Sequence, residues 1–144
     1  MVVRAASEAD IPRILEIERD AIAPPWTHGS LLSEIYSVDS FFALAVITDG
    51  ISGFIVLRRA ADEGELLQIA VDTAGRRQGV ADALMAAALD WARDADIGSV
   101  YLEVRKSNEA ALSLYKKHGF AYAGARKNYY TDPTEDAVIM ALQL

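Results

Sequence analysis

Two rhythms of apolar residues run along this 144-residue chain, one with a period near two and one near 3.6. Residues 2–5, Val-Val-Arg-Ala, can form a first strand. Ser7 then reads as an N-cap, with Asp10 three positions on in a weak variant of the capping box. Ile11, Ile14, Leu15 and Ile22 give the first helix an apolar stripe, and Pro24-Pro25 ends it. Thr27 caps a second helix carrying Leu31, Leu32 and Ile35. Residues 41–48 and 51–59 read as strands joined by Asp49-Gly50, a strong hairpin signal. A fourth strand covers 65–71.

The Ala- and Leu-rich stretch 82–93 puts Leu84, Ala88, Trp91 and Ala92 on one helical face. In a fifth strand, 100–104, Val100, Leu102 and Val104 alternate with Tyr101, Glu103 and Arg105, so pleating separates the two sets. Residues 108–118 form a helix capped by Ser107 or Asn108 and terminated by Gly119. Two closing strands, 120–130 and 136–142, flank the turn Thr131-Asp132-Pro133-Thr134. If strands four and five are parallel, residues 66–104 make a right-handed crossover. The expected architecture is α/β, a mixed sheet with helices on both faces, in one domain spanning 1–144.

Composition narrows the class of protein. An apolar content of 52% with 24% charged residues fits a globular chain rather than a disordered one. No apolar run approaches the roughly 20 residues of a membrane span, and the first residues lack a signal-peptide core. With no cysteine, disulfides, thiolate catalysis and Cys-ligated metals are excluded. A cytoplasmic location is expected. The net charge of −7, from 14 Lys+Arg against 21 Asp+Glu, disfavours general nucleic-acid binding and would attract a basic substrate. Charge of this size also serves plain solubility.

The candidate chemistry begins at Arg76-Arg77-Gln78-Gly79-Val80-Ala81, between the fourth strand and the helix that follows. The first N–H groups of a helix lack internal partners, and its dipole favours an anion. Gly79 permits close backbone approach, and the arginines add forked donors. The turn suits a diphosphate. It contains neither the Gly-Lys-Ser/Thr of a P-loop nor the Gly-x-Gly-x-x-Gly of a dinucleotide fold.

The spacing Arg76-x-x-Gly79-x-Ala81 resembles the coenzyme A signature of the GCN5-related N-acetyltransferases (GNAT), Gln/Arg-x-x-Gly-x-Gly/Ala. The block Tyr101-Leu102-Glu103-Val104-Arg105-x-Ser107-Asn108-x-x-Ala111-x-x-Leu114-Tyr115-x-x-x-Gly119-Phe120 is similar to the bacterial ribosomal-protein alanine N-acetyltransferase (RimI) branch of that superfamily. Ile69-Ala70-Val71-Asp72, Arg126-Lys127-Asn128-Tyr129-Tyr130, the closing stretch 135–142 and Pro25-Trp26 agree with it, so the resemblance spans nearly the whole chain. It implies a seven-stranded, mostly antiparallel sheet with a parallel fourth and fifth strand.

The resemblance also implies roles. A glutamate at the Glu103 position acts as general base and a tyrosine at the Tyr115 position as general acid. Ile69, Ala70 and Val71, the turn residues Arg76, Arg77, Gln78, Gly79, Val80, Ala81 and Asp82, and Asn108 hold acetyl-CoA. The implied acceptor is a protein N-terminus, the N-terminal alanine of ribosomal protein S18, with other N-termini, lysines or small amines as alternatives and no metal required. Gln78 stands where the family often has a basic residue, and Ala81 replaces a commoner glycine. Asp82 would compete with a bound diphosphate and is therefore expected to face solvent.

The chemistry agrees with these roles. An α-amine has a pKa near 7.7–8.0 and is partly neutral in the cell, so a carboxylate need only remove its last proton, directly or through water. Partial burial beside apolar strand residues should make Glu103 a better base. Tyr115 can protonate the leaving thiolate, and a strand N–H near residues 69–71 could polarise the thioester carbonyl. On its residues alone, Glu103 could instead be a sheet-face partner of Arg105 or a lysine, and Tyr115 a packed core aromatic. Trp26, Tyr129 and Tyr130 fit either a peptide groove or simple packing. His28 and His118 lack ligand spacing and read as surface or cap residues.

Overall fold

The structure, a computed structural model, describes residues 1–22 and 25–144, so the helix-ending role read for Pro24 lies outside the described residues. The strands are Val2–Ala5 (β1), Ser40–Ile47 (β2), Gly50–Ala60 (β3), Glu63–Val71 (β4), Ser99–Arg105 (β5), Ala121–Tyr130 (β6) and Glu135–Gln143 (β7). The helices are Ile11–Ala21 (α1), His28–Tyr36 (α2), Val80–Asp94 (α3) and Glu109–Lys117 (α4). One sheet holds all seven strands in the order β1-β2-β3-β4-β5-β7-β6. Among the described residues only β4 and β5 run parallel. No described helix is long and apolar enough to cross a membrane.

Pleating divides the central strands between two cores. Phe42, Leu44, Phe54 and Val56 meet Ile11, Ile14 and Ile17 of α1 and Leu31 of α2. Their neighbours Ala43, Ala45, Ile55 and Leu57 point the other way, to Leu84, Met85 and Ala88 of α3 and Tyr115 of α4. Helices therefore cover both faces, as expected.

Local signals act where the sequence places them. A short 3-10 turn, Glu8–Asp10, leads into α1, and the Ser7 N–H donates to the Asp10 carboxylate at 2.9 Å. The Thr27 hydroxyl accepts from Ser30 N–H at 3.1 Å, and Asn108 Oδ1 from Ala111 N–H at 3.1 Å. Gly119 takes the positive φ of +95° that ends α4. In the β2–β3 hairpin Ile47 pairs with Gly50, so Thr48-Asp49 forms the loop and Gly50, at φ +109°, opens the strand.

Two irregularities were not visible in the sequence. On β4, Gln68 pairs with Val56 and Leu66 with Leu57, leaving Leu67 as the extra residue of a bulge. The bulge resets which face the strand presents. Leu66 and Ile69 both pack on the α3–α4 side, which a regular strand of period two cannot achieve. Between β4 and β5, pairing runs only over Glu63↔Ser99, Gly64↔Val100 and Glu65↔Tyr101. Beyond Tyr101, β5 continues against β7 while β4 continues against β3, and the sheet divides between them.

Candidate active site

The division of the sheet opens a cavity of about 710 Å³. On one side lies the free edge of β4, with Ile69, Ala70 and Val71. On the other lie Glu103 at the end of β5 and Asn108 and Tyr115 of the following cap and helix. Ala81, on the first turn of α3, closes the far end. Seven of the residues read from the sequence thus meet in one space, because β4 has lost its neighbour where they begin. Beyond Glu65 the β5-facing backbone groups of β4 have no ladder partner and face the cavity.

The loop after β4 aims α3 at this space. Asp72 organises it: its carboxylate accepts from Gly75 N–H at 2.7 Å and pairs with Arg13 of α1. Gly75 is buried where a Cβ would stand 2.3 Å from Ser52 Oγ and 2.8 Å from Val71 Cγ1, so the loop closes on β3 only with glycine there. Arg77 adopts φ +63° and Gly79 φ +75°; at Gly79 nothing lies within 4 Å of where a side chain would begin. The chain then enters α3 with the N–H groups of its first turn unmatched inside the helix.

Arg76, Arg77, Gln78 and Gly79 are exposed on this loop outside the cavity lining, and the Val80 side chain is buried in the core. Val80 can offer a ligand only its backbone. The Asp82 side chain is 39% exposed and lies outside the cavity lining, and it also takes partners that the sequence did not suggest. Its carboxylate bonds to Lys117 Nζ at 2.8 Å and His118 Nε2 at 2.9 Å, at the C-terminus of α4. Lys117 first, then His118, hold it below the ordinary carboxylate range. The basic end of α4 draws it away from the cavity, so it ties two helices together and leaves its backbone N–H on the first turn.

Glu103 is partly buried, and its Oε1 lies 3.1 Å from Arg126 Nε on β6. The partner considered from the sequence, Arg105, is engaged elsewhere. It donates to the carbonyls of Thr131 and Pro133, pairs with Glu135 at 3.3 Å, and stacks 4.5 Å from the Tyr130 ring centroid. Same-face neighbours on a strand stand nearly 7 Å apart, and the turn 131–134 offers Arg105 better acceptors. Glu103 also faces Tyr129, whose phenol is raised above the ordinary range first by its hydrogen bond to Glu103 and then by that group's charge.

Tyr115 is buried, with its ring edge-on to Phe120 at 5.9 Å. Burial first, then Tyr130, pushes its hydroxyl up to about 12, so it keeps its proton through the neutral range. The cavity therefore sets a carboxylate and a protonated phenol around one opening, beside a row of backbone groups.

A sequence profile described as the acetyltransferase (GNAT) family matches residues 11–120. The chain belongs to the GNAT family of acetyltransferases. It is 34% identical over 145 residues to the ribosomal protein bS18-alanine N-acetyltransferase of Escherichia coli K12, covering 99% of this chain and 97% of the relative. The corresponding enzyme of Haemophilus ducreyi is 36% identical, over 99% and 100% of the two chains. Among solved structures, the E. coli ribosomal-protein-S18-alanine N-acetyltransferase superposes with a TM-score of 0.89 at 34% identity, covering 99% of this chain and 92% of that one. Ard1 from Thermoplasma volcanium gives 0.90 at 32%, over 99% and 97%.

Three features of this N-acetyltransferase site lay beyond the sequence signals. Arg126, on the edge strand, meets Glu103 only because β6 follows β7 in the sheet. Arg13 reaches Asp72 across 59 positions. Glu65, the last β4 residue paired to β5, stands at the mouth of the cavity with Glu103 and Tyr129. Only the unassigned charges at positions 13, 65 and 126 hinted at them.

Proposed function

We propose that this N-acetyltransferase acts on the α-amino group of a protein N-terminus, with the N-terminal alanine of ribosomal protein S18 as acceptor and acetyl-CoA as donor. The relatives that match almost end to end carry that activity in their names, which supports the choice of acceptor. The observation that carries the reading is the parted β4–β5 pair, which leaves a backbone edge, a carboxylate and a buried phenol around one cavity.

The cavity fits the donor in kind. An unpaired strand edge suits the amides of a pantetheine arm, and a helix start with exposed arginines behind it suits a diphosphate. Ile69, Ala70 and Val71 would hold the arm; the backbone of residues 77–82, with Arg76 and Arg77 near it, would hold the phosphates. The Asn108 amide group remains available on the opposite wall, since its carbonyl is used in the cap. Acetyl-CoA, when bound, supplies an acyl group already activated as a thioester.

The chain's residues then manage protons. Glu103 accepts one from the acceptor amine, directly or through one water; before the transfer Arg126 pairs with and orients the carboxylate. Tyr115 gives a proton to the departing sulfur; burial keeps the phenol protonated through the neutral range, so the proton is in place when the thiolate leaves. Glu65 and Glu103 at the mouth favour a cationic N-terminus and a basic segment behind it. The test is mass spectrometry of an Ala-initiated S18 peptide after incubation with labelled acetyl-CoA. Label on the α-amine is expected; label only on a lysine of the same peptide would overturn the Nα reading.

A further inference from the structure

Ala21 and Ile22 at the end of α1 and Trp26 just before α2 form one wall of the cavity, which Tyr129 and Tyr130 also line. A single acidic side chain ties that wall to the sheet. Glu18, on the inner face of α1 among Ile11, Ile14 and Ile17, is wholly excluded from solvent. Its Oε2 accepts from the Trp26 backbone N–H at 3.3 Å, and the Gln68 side chain faces it from β4. Gln68 is itself buried and adjoins the Leu67 bulge, where β4 begins to line the cavity. Among the described residues, Glu18 Oε1 and Gln68 Oε1 have no hydrogen-bond partner.

Stability alone explains this cluster poorly. A carboxyl removed from water, with one long backbone bond and no cation bonded to it among the described residues, costs more than an apolar side chain of its size. The same layer is otherwise filled by isoleucines. What Glu18 does provide is a fixed distance between the Trp26 backbone and the bulge of β4.

We propose that Glu18 is a positioning residue for the acetyl acceptor: through Trp26 N–H and Gln68 it holds the Trp26 side of that wall against β4 and so sets the width of the acceptor groove. This rests on the proposed entry of the acceptor amine between that wall and Glu103. Among the described residues no other buried acidic group combines these contacts. Asp10 pairs with Arg4, and Glu34 with Arg58 and Ser40, both away from the cavity.

Glu18→Met and Glu18→Gln separate the possibilities. Methionine has similar length and cannot accept the Trp26 N–H; glutamine can. For Glu18→Met, the acceptor-peptide KM should rise about tenfold, the equivalent of one hydrogen bond, with the acetyl-CoA KM within about twofold and Tm unchanged or higher. Glu18→Gln should stay within about twofold on both. Amide exchange at Trp26 should quicken about tenfold in the first variant and not in the second. An unchanged peptide KM, equal rises in both KM values, or unaltered Trp26 exchange in Glu18→Met would overturn the proposal. If Glu18→Met does not fold, Gln68→Met should show the same split between KM values, and its absence overturns the proposal equally. Failure of the wild-type enzyme to acetylate the Ala-initiated peptide would refute the acceptor assignment instead, while Trp26 exchange still decides the role of Glu18.

Discussion

The two ends of the cavity are made of different materials. At the end proposed for the cofactor the chain presents backbone: the β4 edge at Ile69, Ala70 and Val71, and the first turn of α3 behind a loop fastened by Asp72 and Gly75. At the end proposed for the acceptor it presents side chains: Trp26, Glu65, Glu103, Tyr129 and Tyr130. Backbone donors are the same whatever residue carries them, so on the proposed reading the first end should tolerate Gln78 and Ala81 in place of the family's usual residues. The second end owes its chemistry to individual atoms, and single substitutions there should be costly.

Glu103→Gln should break this contrast most sharply. It keeps size and loses the proton acceptor, so kcat should fall about 100-fold or more while the acetyl-CoA KM stays within about twofold. Steady-state kinetics across pH measure this, and a normal kcat would remove Glu103 from the base role. Tyr115→Phe should slow turnover by about tenfold with cofactor affinity nearly intact. It should also alter stability in alkali. A phenol near 10 in the unfolded chain and about 12 in the fold contributes stability that is complete below pH 10 and disappears as pH rises through 12. Denaturation midpoints between pH 9 and 12 should therefore fall less in the phenylalanine variant.

At the backbone-built end, the fastening should matter more than the charges. Asp72→Ala removes the bond to Gly75 N–H and the pair with Arg13, and should raise the acetyl-CoA KM by about five- to tenfold with kcat little changed. Arg76→Ala removes only an exposed cation and should raise it by no more than about threefold, less at high salt. Isothermal titration with CoA at two salt concentrations would measure both. A larger loss for Arg76→Ala than for Asp72→Ala would show that side-chain charge governs this end.

Much of this arrangement was legible in order of sequence. The alternation Val100-Leu102-Val104 against Tyr101-Glu103-Arg105 fixed which way Glu103 points, and burial follows that alternation along β5. Thr27 and Asn108 cap their helices because those side chains satisfy N–H groups three residues away, a local matter. What the sequence left open are partners distant along the chain. Glu103 meets Arg126 rather than Arg105, and the exposed Asp82 carboxylate also finds Lys117 and His118. Pattern says which face a residue occupies and nothing about which strand or helix end will stand opposite.

By itself, then, the sequence determined the elements, their order, the two-sided burial of the central strands and the residues able to move a proton. Each depends on periodicity or on groups within about four positions. Tertiary structure decided where the sheet parts after Glu65 and Tyr101, where β4 gains an extra residue at Leu67, and how Glu18 reaches Trp26 and Gln68. These follow from competition among strands for hydrogen-bond partners and from packing between layers, and such competition is resolved only when the whole chain is folded.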